Sequence, residues 1–235
     1  MKLNQEQITQ LFSFTKQHYV EYYDLQLELV DHLADGIELA MSESASLTFE
    51  QALHLEFKKF GIFGFMDVIE KRQAALTKKY HLLVWKHLKG FFRLPKIIGS
   101  AFAIAAIYYL LVRFYASEEL FISAFAVIVV LNLTSIFWRK RNPGKTETKD
   151  QKRWLFKEII SRYGNFSAFA IFPMQLLNLF YNRQYDLAQN HILVLIFSIM
   201  LVLYALFTYI IIFVIPSKAT EYVRETYPEY ELTDV

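Results

Sequence analysis

Cysteine is absent from all 235 residues, which removes a disulfide framework, a thiolate metal site and a cysteine nucleophile at once. Also missing are a phosphate-cradling glycine loop, a nucleophile elbow and a zinc-protease helix motif, so the chain is not expected to be an enzyme. Net charge is small, with 25 Lys+Arg against 23 Asp+Glu. Polar content is low overall. At 54% hydrophobic and 17% aromatic residues, the chain is too apolar for an average soluble domain. The excess lies after about Pro95, and the first strongly apolar run begins near Ile97. That is too late for a cleavable signal peptide, so a retained N-terminus is expected.

Four apolar segments follow, at about 97–115, 120–138, 164–181 and 192–215. Each is close to the roughly 20 residues that a helix needs to cross a hydrocarbon core. The third is interrupted by Pro173, Gln175 and Asn178. The link Ala116 to Glu119 carries no base, whereas Arg139 to Arg162 holds nine Lys/Arg against three Asp/Glu. This alternation predicts cytoplasmic N- and C-termini. The expected location is a bacterial inner membrane, crossed four times. Mid-depth ionisable residues, which transport and intramembrane catalysis require, are missing from these runs. Neutral polar residues such as Asn132, Ser198 and Thr208 read as interhelical hydrogen-bonding groups.

Ahead of the spans the sequence reads as a charged helical domain. Asn4 with Gln7 and Thr48 with Gln51 form capping-box patterns before helices whose apolar positions include Leu11 and Phe12, then Phe49, Leu53, Phe57 and Phe60. Between them Leu25, Leu29, Leu33 and Ile37 recur every fourth residue from Tyr23 to Met41, with Val30 and Ala40 widening the stripe. A fourth helix is expected after Gly64, toward Phe91 and Phe92. The fold class is therefore all-α: a helical domain of about four helices at 1–90, a four-span bundle at 91–216 and a cytoplasmic tail at 217–235, in which nothing defines a site.

Charge in the front domain is polarised. Residues 1 to 56 hold two Lys/Arg against ten Asp/Glu, and residues 57 to 96 hold ten against two. The basic stretch abuts the first span, so Lys86, Lys89, Arg93 and Lys96 are expected at the membrane interface, with Arg139, Lys140, Arg141 and Trp154 in the same role after the second span. Membrane lipids account for these residues without direct nucleic-acid binding. The segment from Trp154 to Arg162 is read as a stretch that lies along the inner leaflet.

Glu28, Asp31, His32, Asp35 and Glu38 occupy the polar side of the second helix. Carboxylates and an imidazole at this spacing suit a divalent transition metal by residue type. One histidine among acids on a surface helix is more often a solvated or partner-facing surface, so no metal and no cofactor is assigned.

The run YDLQLELVDHLADGIE (Tyr23 to Glu38), then LTFEQAL (Leu47 to Leu53) and FKKFG (Phe57 to Gly61), resembles the HAAS-type helical signalling domains, which stand ahead of transmembrane segments and include permease-prefix modules. The resemblance covers residues 5 to 75. It departs at Ile62 to Glu70, where many relatives carry a proline and this chain has none. It implies a partnership with a PadR-like winged-helix regulator, and the acidic face of Glu28, Asp31, His32, Asp35 and Glu38 is the expected surface for such a cytoplasmic protein partner. A regulatory or scaffolding membrane protein is therefore expected. The alternative is a transporter or an accessory subunit of a larger transport complex. Homo- and hetero-oligomers both remain open.

Overall fold

The computed structural model describes residues 2–44, 46–113, 126, 130, 134, 137, 152–164 and 191–233. Every regular element among them is helical. The chain divides into two compact units. Unit 1 comprises Met1–Lys79, Lys149–Ile159 and Tyr222–Val235, and unit 2 comprises Tyr80–Thr148 and Ile160–Glu221. Unit 1 thus takes in two later stretches that the expected boundary at residue 90 leaves out.

Unit 1 begins with α1 (Gln5–Gln17), closed by the expected reciprocal cap: Gln7 N–H donates to Asn4 Oδ1 and Asn4 N–H to Gln7 Oε1, both at 2.8 Å. Helix α2 (Tyr23–Glu43) buries Leu25, Leu29, Val30, Leu33 and Ile37, so the four-residue stripe is its core face. Helix α3 (Phe49–Lys58) carries the second reciprocal cap, between Thr48 and Gln51. Its fully buried residues are Ala52 and Glu56, while Phe49, Leu53 and Phe57 are only half-buried. Gly36 of α2 explains that choice. A β-carbon there would lie 2.5 Å from Glu56 Oε2, so the missing side chain makes room for the glutamate, whose charge Lys59 offsets.

The connection that follows α3 turns at Gly61 and Gly64, both with positive φ, a conformation open to glycine at little cost. It seats Phe65 in an edge-to-face cluster with Phe14, Phe57 and Phe60. Helix α4 follows as one element (Met66–Phe91).

In unit 2, α5 (Lys96–Arg113) packs against α7 (His191–Ser217). These two helices are long and apolar enough to cross a membrane. Ile98 and Phe102 on α5 and Ile192 and Phe213 on α7 are exposed. Helix α7 widens into a π turn at Ile210–Val214, where Ile215 N–H bonds back to Ile210 O. The next residue is Pro216, which has no N–H to donate, and the π turn sits where its ring would crowd a regular helix. Tyr80 and Tyr163, near the end of α6 (Leu155–Gly164), stack at 4.6 Å. Of the expected second span, Ala126, Val130, Thr134 and Phe137 are described, each in helix. Its remainder, the third span beyond Gly164, and Arg139, Lys140 and Arg141 lie outside the described residues.

Candidate functional site

The head of α2 is where three distant parts of unit 1 meet. Asp24 is 5% exposed, and a bare carboxylate buried to that degree would be strongly destabilising. It is satisfied from both sides. Leu155 N–H, the first of α6, donates to Asp24 Oδ1 at 3.0 Å, and Tyr227 O–H donates to Oδ2 at 2.6 Å. The exchange is reciprocal, because Tyr23 N–H, the first of α2, donates to Arg153 O at 2.7 Å. Each helix start therefore has an otherwise orphaned N–H satisfied by the other segment, with the Asp24 charge near the positive ends of both.

Aromatic rings close over this network. Trp154 is buried among Tyr23, Tyr227 and Tyr230, with centroids at 5.6, 5.1 and 5.1 Å. Trp154 is thus a core anchor of unit 1 rather than the membrane-interface residue expected, since a fully enclosed indole cannot reach headgroups. The helix it precedes likewise buries Leu155, Phe156, Ile159 and Ile160. Its apolar face is filled by protein, which corrects the reading of this stretch as lying on the inner leaflet.

The tail, in which nothing in the sequence defines a site, forms α8 (Ala219–Thr226) and a 3₁₀ helix (Pro228–Thr233). It contributes buried Tyr222, Tyr227 and Tyr230. Burial, then the Asp24 charge and its hydrogen bond, push the Tyr227 hydroxyl well above its ordinary pKa, with Arg72 opposing. Arg72 also lies over the Tyr227 ring, 5.8 Å from its centroid.

The acidic residues singled out in the sequence separate into two groups. Glu28 and Glu38 are engaged within the unit: Glu28 Oε2 lies 3.6 Å from Arg72 Nε, and Glu38 Oε1 accepts from Leu3 N–H at 2.8 Å. Asp31, His32 and Asp35 are exposed, and the His32 ring leans edge-on against Phe60 at 5.7 Å. Among the described residues no group of three or more His, Asp or Glu could hold a metal ion. Lys86, Lys89, Arg93 and Lys96 are all exposed.

Asp24, Arg72, Trp154, Tyr227 and Tyr230 were missed as a group. The available signal was a carboxylate in the first turn of α2, beside Leu25 on the core side, and tyrosines at 222, 227 and 230 in a tail otherwise polar. Neither indicates its partner. In comparisons with known proteins, no family model, no curated protein and no solved structure matches the chain.

Proposed function

We infer that the chain is a multi-pass membrane protein of regulatory or scaffolding type, whose helical unit 1 stands in the cytoplasm and recruits a basic cytoplasmic protein. The class of partner implied by the resemblance is a winged-helix transcription regulator. The observation that carries this reading is the assembly around Asp24. Residues 23–24, 153–155 and 227 share one hydrogen-bonded cluster, so they lie on one side of any membrane the chain crosses. A path from α4 to residue 153 then needs an even number of crossings, and so does the path from α6 to Tyr227. The four segments legible in the sequence satisfy both conditions, and the positive-inside bias makes the shared side cytoplasmic.

The unit so closed leaves Asp31, His32 and Asp35 outward on α2, within a front segment strongly enriched in acid. Such a surface attracts a basic partner at long range. The test is crosslinking and pull-down of the full chain from native membranes, comparing wild type with Asp31→Lys/Asp35→Lys. These two positions carry no internal contact of the kind that Glu28 and Glu38 make. Loss of one DNA-binding regulator from the captured set is the expected result. An identical set from both proteins would refute recruitment through this face.

A further inference from the structure

The outward side of the second half of α4 has a mixed apolar and cationic character. Leu82, Trp85, Lys86 and Lys89 recur at helical spacing and are exposed, and Phe92 and Arg93 continue the stripe past the helix end. Tyr80, Val84 and Leu88 take the opposite side and are buried. Leu82 is 60% exposed and Trp85 53%, large apolar groups left uncovered on a helix that has a well-packed inner face. Lys89 Nζ lies 5.3 Å from the centroid of the Trp85 ring, so cation and indole present one surface.

Charge identifies what would cover this stripe. From Lys71 through Ser117 the sequence contains no Asp or Glu, so this part of the helix supplies nothing to neutralise its own cations. His87, on the same helix, reports that field: burial first, then Lys218, Lys86 and Lys96, hold its imidazole below the ordinary pKa, with Glu221 opposing. The stripe also runs directly into α5, which begins at Lys96 and exposes Ile98 and Phe102.

We propose that this stripe is a lipid-binding surface for an anionic bilayer. Leu82, Trp85 and Phe92 enter the boundary between headgroups and acyl chains, while Lys86, Lys89 and Arg93 meet lipid phosphates. Indole is suited to that depth because it has an apolar body and a polar edge, and lysine stems reach up from it. The electrostatic part makes the contact depend on anionic lipid. The proposal rests on the membrane reading of α5 and adds to it a second, in-plane contact of stated chemistry.

Because the chain has no cysteine, Leu82→Cys and Phe102→Cys each provide one thiol for a nitroxide label in the full-length protein. Each is reconstituted in vesicles of phosphatidylcholine, alone or mixed with phosphatidylglycerol. Collision with oxygen reports lipid, and collision with a water-soluble nickel chelate reports water. The label at position 82 is expected to be oxygen-accessible and chelate-protected in the mixed vesicles. Protection should fall at least about twofold in phosphatidylcholine alone, and likewise when Lys86→Glu/Lys89→Glu is added, because attraction to the surface scales with the cations near it.

A chelate-accessible label at 82 with an oxygen-accessible label at 102 would overturn the proposal and leave α5 in the membrane. Chelate access at both positions would remove the membrane reading itself. A label at 82 shielded from both reagents would assign the stripe to a protein neighbour, and equal protection in the two lipids would exclude anionic recognition.

Discussion

In unit 1 the buried carboxylate of Asp24 draws its hydrogen bonds from Leu155 and Tyr227, 131 and 203 residues away. In unit 2 the buried hydroxyl of Ser198 turns back on the carbonyl of Val194, four residues earlier and 2.8 Å distant. Ser100 similarly reaches carbonyls at Phe91 and Lys96. In a long apolar helix the nearest acceptors for a hydroxyl are its own backbone carbonyls. A unit built from several separate segments can instead use a buried polar group to join them, and its stability then depends on those segments being present.

The largest effect that would break this contrast is Asp24→Ala. It strands the Leu155 N–H and the Tyr227 hydroxyl in a closed site, and the expected loss is about 3 kcal/mol of local opening free energy. Segment-resolved hydrogen exchange on the full chain is the check. Faster exchange should appear together in α2, α6 and the tail, and α7 should be unchanged. Acceleration confined to α2 would mean that the three segments do not close as one.

A smaller effect concerns pH. Tyr227 keeps its proton in the fold, whereas an unfolded tyrosine loses it near pH 10. Its contribution is therefore complete below about pH 10 and is lost as pH rises from there toward the folded value. Tyr227→Phe should cost about 2 kcal/mol at neutral pH by removing a donor to a charged acceptor. It should also flatten the alkaline decline of unit 1 relative to wild type. Parallel declines in the two proteins would show that burial and Asp24 do not hold the hydroxyl protonated in the fold.

The smallest effect is Ser198→Ala. Its hydroxyl adds a second bond to a carbonyl already in the helical ladder, so the cost should stay within about 1 kcal/mol. A larger loss, read from thermal unfolding in detergent, would show that unit 2 also uses its buried polar groups to hold distant segments.

Local signals were legible from residue order alone. The capping boxes at Asn4 and Thr48 and the stripe from Leu25 to Ile37 depend on neighbours three or four positions apart, and each appears as expected. Helix α4 starts and ends close to where Gly64 and Phe91 suggest. The Asp24 cluster was not legible, because the two donors to Asp24 stand 131 and 203 residues along the chain and nothing local distinguishes a buried first-turn aspartate from a solvated one. Trp154 was misread for a related reason. Its basic surroundings indicate an interface, while the rings that enclose it come from the two ends of the chain. Glu56 defeated the periodicity of α3 because Gly36, on another helix, opened the space for it.

The placement of Tyr227 also orders events during synthesis. Helices α1 and α3 leave the ribosome early and can cap themselves at once, since Asn4 and Thr48 find their partners within three residues. Asp24 cannot. Its second donor emerges only after the whole of α7, the more apolar of the two long helices, has been made. Through most of translation the front unit therefore carries an open seam beside Tyr23, and its closure requires that every segment up to Tyr227 has already been made.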